Sequence, residues 1–340
     1  MRRWRHGMQF NQLKRREFIT LLGGATAAWP LNAPAQQPAL PMIGYLGITS
    51  PETFASRLQA FRHGLSETGY LERRNVTMEY RWADSQLDRL PALVSDLIDR
   101  RPSAIITAGS TAAAQAAKAA TTAIPIIFEI GGDPVAAELV PSLNRPGGNV
   151  TGITSLNIEV NPKRLELLHE LIPNVKAVAL LVSPADQTNT AQLLPQMQVA
   201  ARTLGLELHI LQASAETDIE PAFARLNQLG AGGLVVAAGP LFNSQVARLA
   251  TLAFRYRVPT IFYTREFCAA GGLASYGGDV TESHRLSGQY VGRVLRGEKA
   301  GDLPVQQVTR VELMINLRTA TALGVDVPRQ LVARADEVIE

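Results

Sequence analysis

The sequence holds a single cysteine, Cys268, so no disulfide can close within the chain. Beyond its first 35 residues it has no run of 18 apolar residues, and a membrane-crossing helix needs about 20. It lacks a G-x-S-x-G nucleophile elbow, a G-x-x-x-x-G-K-S/T phosphate loop and a G-x-G-x-x-G fingerprint. His63, His169, His209 and His284 are dispersed, with no H-E-x-x-H and no pair at i, i+4. His63, His169 and His284 fall in helical patterns and read as solvated or helix-packing residues. These absences leave no nucleophile with a base and no metal set. The expectation is a protein that is not an enzyme and carries no metal or cofactor.

Basic runs are also missing once the N-terminus is set apart. Arg2, Arg3, Arg5, Lys14, Arg15 and Arg16 precede an apolar stretch from Phe18 to Trp29, which is followed by the small-residue site Ala33-Pro34-Ala35. A basic lead, a short apolar segment and an A-x-A site are the parts of a signal peptide, predicted here to be cleaved after Ala35. Arg15-Arg16 resembles the twin-arginine export motif, with Lys14 standing where that motif usually has Ser or Thr. The whole chain carries 33 basic and 30 acidic residues, a formal +3. Residues 1–35 hold six of the basic ones and only Glu17 of the acidic, so the remainder has a net charge of −2. The positive balance therefore belongs to the signal and not to a nucleic-acid surface. With no cysteine beside the cleavage site, a lipid anchor is not expected.

What the remaining chain has in quantity is alternation. Short β-branched or aliphatic runs at 42–48, 75–81, 103–108, 124–130 and 149–153 predict strands, and a second series follows at 176–182, 206–212, 233–238, 259–263 and 272–276. Helical patterns lie between them at 52–69, 86–101, 111–120, 160–172, 188–204, 216–229, 243–256 and 281–297. Strands alternating with helices give βαβ units and parallel sheets covered on both faces. The repeated grammar, and the Gly, Pro and Asn around 150–160, predict two lobes with a crossing there. A second crossing is expected at 277–281 (GGDVT), after which helix 281–297 returns to the first lobe. The tail, with a strand at 308–314 and a helix at 316–323, ends in the second.

In open α/β sheets ligands bind beyond the carboxyl ends of the strands. The residues at those ends here are Thr49 and Ser50, Gly109-Ser110-Thr111, Gly132-Asp133, Ser183 through Asp186, Gly239-Pro240-Leu241-Phe242, and Tyr263 through Glu266. Gly109-Ser110-Thr111 opens an Ala-rich helix whose free N–H groups suit a carboxylate, and equally Ser and Thr are ordinary helix caps. Asp133 could pair with an ammonium or cap the turn at Pro134. Phe242 and Tyr263 could stack on a ligand or belong to the core. Glu266, Asp279 and Glu282 lie near the second crossing, where an exposed rim accounts for them as well as a site does.

The segments REFITLLGGATAAWP, FRHGLSETGYLERRNVTMEYRWAD, ITAGSTAAAQAAKAATTAIPIIFEIGGDPV and SLNRPGGNVTGIT resemble the ABC-transporter substrate-binding proteins labelled as tryptophan/tyrosine-type uptake proteins, as do KRLELLHELIPNVKAVALLVSP and SYGGDVTESHRLSGQYVGRVLRGEKAGDLPVQQ. The resemblance spans essentially the whole chain, and GGDPVAAELVPSLNRPGGNVTG is its most specific part. It implies a type I periplasmic-binding-protein fold of two Rossmann-like lobes joined by three hinge crossings. Lobe 1 would be 36–154 plus 277–303, and lobe 2 would be 155–276 plus 304–340. It further implies that Ser110, Thr111 and Asp133 line one wall of the cleft, with Ser183, Asp186, Pro240, Phe242, Tyr263 and Glu266 on the other. The function implied is periplasmic capture of a small organic ligand, with an amino acid, an aromatic one first, fitting the polar ends. Its partners would be an inner-membrane ABC permease and the cytoplasmic ATPase of that permease. The protein is expected to be a monomer without nucleic-acid contacts. A periplasmic sensor docking to a signalling receptor is the alternative, and an α/β enzyme using Asp133 with Glu266 is a weaker one.

Overall fold

The computed structural model describes residues Leu40–Glu340, so the predicted signal segment lies outside the described residues. The chain begins with β1 (Met42–Gly47), α1 (Ala55–Glu67), β2 (Thr77–Trp82), α2 (Leu90–Asp99), β3 (Ala104–Ala108), α3 (Thr111–Ala120), β4 (Ile126–Ile130) and β5 (Val150–Thr154). It continues with α4 (Asn161–Leu171), β6 (Ala177–Val182), α5 (Gln187–Thr203), β7 (Glu207–Gln212), α6 (Glu216–Gln228) and β8 (Leu234–Val236). Then come α7 (Pro240–Ser244), α8 (Val246–Arg255), β9 (Thr260–Phe262), α9 (Arg265–Ala269), β10 (Ala274–Gly278), α10 (Val280–Leu295) and β11 (Gln306–Gln307). The last elements are β12 (Val311–Asn316), α11 (Leu317–Leu323), α12 (Arg329–Arg334) and β13 (Glu337–Ile339).

Two sheets result. The first has the order β11-β5-β4-β3-β1-β2 and the second β13-β12-β10-β9-β8-β6-β7. Residues of β3, β4 and β5 are all buried, as near-continuous apolar runs covered on both faces should be. In β6 the side chains alternate: Val178, Leu180 and Val182 enter one core of the second lobe, and Ala179 and Leu181 enter the core on the opposite face. That is the two-residue period of a strand packed between two helix layers.

The expected two-lobed α/β architecture is the observed one. One strand departs from parallel pairing: β12 runs antiparallel to β10, with Gly278 opposite Val311 and Ala274 opposite Ile315. The chain leaves the second lobe at the carboxyl end of β10 and re-enters at that same end, so β12 can only run back along its neighbour. The lobe boundaries also move. Gly278 still belongs to the second sheet, and β11 pairs with β5 in the first, so the expected boundaries at 277 and 304 fall after 278 and after 307. Val305 and Val308 pack into the first lobe's core, which is why the segment stays there so long.

The three crossings lie side by side. Asn157, on the first, accepts from the Gly278 N–H at 2.9 Å, and Asp279 N–H donates to the Arg310 carbonyl at 3.4 Å. Gly277 and Gly278 have no room for a side chain: a Cβ would stand 2.2 Å from the Tyr263 carbonyl and 2.6 Å from that of Ser155, respectively. Asp279 caps α10, accepting from Thr281 N–H at 2.9 Å and Glu282 N–H at 3.0 Å.

Candidate functional site

Each sheet has a point where consecutive connections leave in opposite directions, between β1 and β3 in the first and between β6 and β8 in the second. Crevices form at such points, and here the two face each other across the lobes. Arg57 on α1, with Ser110 and Thr111 after β3, meets Asn189 on α5 and Gly239, Pro240 and Asn243 after β8. The crevice among these residues reaches solvent. The lobes touch across it: Thr111 Oγ1 donates to Asn189 Oδ1 at 3.1 Å, Ser85 Oγ to the Pro240 carbonyl at 3.4 Å, and Thr188 Oγ1 to Gln115 Oε1 at 3.4 Å.

The deep part of the void is lined by buried polar side chains. Arg57 is 6% exposed and forms no ion pair with a carboxylate among the described residues. Its guanidinium lies 4.9 Å from the centre of the Phe54 ring. Burial opposes its charge, but Tyr263, Glu266 and Glu129 outweigh burial and raise its pKa. Glu129, near the end of β4, is 3% exposed, and its Oε1 accepts from Ser283 Oγ at 2.7 Å. His284 on α10 is 2% exposed. Its Nδ1 lies 2.7 Å from the Val280 carbonyl and must be the donor there, because a carbonyl only accepts. Nε2 of His284 has no partner, and neither has Oε2 of Glu266. Tyr263 donates its hydroxyl to Asn243 Oδ1 at 2.8 Å, which sets its ring on the cavity wall.

Arg164 supports the hinge side of the wall. It is fully buried and donates to the Tyr276 carbonyl at 2.5 Å, to Asn161 Oδ1 at 2.6 Å and to Asn157 Oδ1 at 3.4 Å. Burial pushes its pKa down, yet a guanidinium with three oxygen acceptors stays charged. It thereby ties the first crossing to the strand before the second.

The candidates read from sequence divide into groups. Gly109, Ser110, Thr111, Gly239, Pro240 and Tyr263 line the void. Gly109 holds φ +84°, and a Cβ there would press on the Phe54 ring at 2.7 Å. Ser110 also caps α3, accepting from Ala113 N–H at 3.3 Å. Asp186 and Ser183 are each 6% exposed on the second lobe, and Asp186 Oδ2 accepts from Asn189 Nδ2 at 2.8 Å. Gly132 faces Ile158 and Asn189 and leaves them little room. Glu266 is absent from the void's lining and acts on Arg57 through its charge. Thr49 and Ser50 line a separate groove at the cleft's rim with Asp84, Ser85 and Gln86. Asp133 is absent from the void's lining, and its Oδ1 accepts from Val135 N–H at 2.8 Å, as a turn cap does. Phe242 is fully buried in the second lobe's core.

Sequence reading missed Arg57, Glu129, His284, Asn157, Asn189 and Asn243. The first three carried a signal. Arg57 falls in the stripe Phe54, Leu58, Phe61, Leu65, Glu129 interrupts the apolar run IIFEI, and His284 shares the stripe Val280, Ser287, Val291. A charged or titratable residue on a core-facing register has to be paired there or functional. His284 is thus not solvated: its ring is buried against Phe54 among the void's lining residues, and its Nε2 has no hydrogen-bond partner.

Asp186 carries a measurable consequence. Burial raises its pKa from 3.8 to about 6, against the bond from Asn189, which lowers it. A raised acid pKa means its contribution to stability is complete below pH about 4 and is lost as pH rises through about 6. Asp186→Asn keeps the shape and an acceptor for Asn189. It is expected to stabilise the protein at pH 7 by about 3 kcal/mol, at 1.36 kcal/mol per unit, and to give no gain near pH 4. Denaturant melts of both proteins at the two pH values check this, and an equal difference at both would sink it.

Two α/β lobes that close on a buried polar void at their facing switch points define a bilobed solute-binding protein. The chain belongs to the family of ABC transporter substrate binding proteins, which matches residues 43–339. It is the substrate-binding component of an ABC uptake system, which takes up a small molecule and works with a membrane permease. The chain is similar to the "Tyrosine-binding protein" of Clostridioides difficile (strain R20291), with 29% identity over 284 residues, covering 83% of this chain and 80% of that protein. In fold it is similar to an ABC domain of Streptococcus pneumonia in complex with L-Trp, at 24% identity, 88% of this chain, 100% of that one and a TM-score of 0.81. A ligand-free, open substrate binding protein with adhesive properties from Clostridium difficile gives 22% identity, 88% of this chain, 99% of that one and a TM-score of 0.62.

Proposed function

We propose that the protein is a periplasmic receptor that closes its two lobes around one α-amino acid, aromatic ones first, and delivers it to an inner-membrane permease without chemical turnover. The carrying observation is Arg57, a buried cation without an ion-paired carboxylate on the wall of the inter-lobe void. A ligand carboxylate offers the planar, charge-assisted match that a guanidinium takes in two parallel hydrogen bonds. Buried acceptors on the same void, Glu129 among them, offer the surroundings an ammonium needs. The names of the relatives, which bind tyrosine or hold L-Trp, support an aromatic side chain. Residues 1–35, read as an export signal, support the compartment.

Capture of this kind needs only that the ligand bind the closed arrangement better than the open one. The cross-cleft bonds of Thr111 to Asn189 and Gln115 to Thr188 hold the closed arrangement once the ligand has joined the walls. A thermal-shift screen of the chain from residue 36 against amino acids, small carboxylates and aromatic acids tests the reading. A ligand at 100 times its Kd adds about 2.7 kcal/mol to stability. Amino acids should raise the melting temperature and simple sugars should not. A shift from another solute class alone would reject the amino acid and leave the receptor.

A further inference from the structure

We propose that His284, in its neutral form, is a ligand-binding residue: its Nε2 and the Glu129 carboxylate together accept hydrogen bonds from the ligand's ammonium group, so that capture is linked to a proton. The inference rests on the amino-acid reading above and concerns the same void.

Three observations carry it. Nε2 of His284 is buried without a hydrogen-bond partner, in a side chain 2% exposed that lines the void. The other ring nitrogen is committed to the Val280 carbonyl at 2.7 Å, which fixes the proton on Nδ1 and leaves a lone pair on Nε2. Oε2 of Glu129 lies 3.5 Å from that lone pair, while Oε1 is engaged by Ser283. Two acceptors side by side on buried side chains form a fork that one R–NH3+ group can bridge with two of its three N–H donors. Buried groups of this kind are costly when left unsatisfied, and a ligand cation removes the cost.

The groups facing the imidazole are Glu129 from β4, Arg57 from α1 and Glu266 from α9. The strands β3 and β5, against which α10 also packs, present no titratable side chain. Burial holds the imidazole pKa below its ordinary value, Glu129 works against this, and Arg57 adds to it. A lowered histidine pKa leaves the ring neutral near pH 7, so the fork is ready there and is lost as pH falls through the folded value. Protonated His284 would donate to Glu129 and occupy both acceptors. An incoming ammonium must then displace that proton to solvent.

The probes are the proteinogenic amino acids, with the tightest binder carried forward beside its desamino analogue, which keeps the carboxylate and side chain. Affinity for the amino acid should fall as pH drops below the folded histidine value, approaching about tenfold per pH unit there, as expected for one linked proton. The desamino analogue should show no such slope. Calorimetry of the wild-type protein near pH 5, in buffers of different ionisation enthalpy, should count proton release for the amino acid alone. His284→Asn and His284→Gln, which accept but do not titrate, should flatten the slope, and their folding is checked by melting. The calorimetric count decides even if both variants misfold. An amino acid that binds with a flat pH profile and no proton release down to the lowest pH at which the protein stays folded overturns the role of His284 and leaves the receptor reading intact. No binding of any amino acid at either pH overturns both readings together.

Discussion

Arg57→Met is expected to weaken amino-acid binding severely while leaving the protein folded. Removing one side of a buried, hydrogen-bonded charge pair costs about 2–5 kcal/mol, which is roughly thirtyfold to several thousandfold in Kd. Methionine covers the Phe54 ring with a chain of similar reach, so the loss falls on the charge and its fork and not on packing. Arg57→Lys should fall between the two, since it keeps the charge and loses the planar pair of donors. Glu129 and Glu266 lose a neighbouring cation in the methionine variant. Some loss of stability is therefore expected, and far-UV circular dichroism and a melting curve separate it from lost binding. Titration calorimetry with the amino acid that binds the wild-type protein reads the effect. Binding within about threefold of wild type would remove Arg57 from the site.

The second large effect lies away from the cleft. Helix α10 returns from the crossing and settles on α1 with glycine at the contact. A Cβ on Gly64 would stand 1.8 Å from the Arg285 carbonyl, and one on Gly288 would stand 2.1 Å from the Phe61 carbonyl. These are backbone atoms, which cannot swing aside, so the helices would have to separate. Gly288→Ala is expected to destabilise by about 3 kcal/mol, the upper end of the overpacking range. It should also weaken ligand binding, because α10 carries Ser283 and His284 beside Glu129. Gly69→Ala is the comparison: nothing lies within 4 Å of its Cβ, and only φ +88° makes it strained. That substitution should cost about 1–2 kcal/mol and leave binding unchanged. If Gly288→Ala unfolds no more easily than Gly69→Ala in urea, the close helix contact is not what the geometry says.

The two substitutions differ in how far the sequence announces them. The LSETGYL turn after α1 is a recognisable stop, and a glycine with positive φ is expected there. Gly64 and Gly288, by contrast, sit inside helices where glycine lowers helix propensity. The reason for it is a neighbour 224 positions away that the local pattern does not mention. Asp133 shows the opposite case. Its place after two glycines and before a proline gives equal reason for a ligand or a cap, and the structure shows the side chain bound to the Val135 N–H.

Sequence alone determined the alternation of strands and helices, the two-lobed α/β plan and the strand ends at which a ligand site would form. Those features follow from local periodicity, because a buried strand must be apolar throughout and its covering helices must be amphipathic. It also pointed to Ser110, Thr111, Gly239 and Tyr263, which line the cavity and lie within three residues of a strand's carboxyl end. Tertiary structure decided the antiparallel course of β12, the chain's stay in the first lobe through residue 307, and above all the charged floor of the void. Arg57, Glu129 and His284 come from a helix, a strand and a returning helix spread over more than 200 residues. No sequence spacing relates them. Only the folding of α10 back onto the first lobe brings an unshared lone pair, a carboxylate and a guanidinium to one crevice.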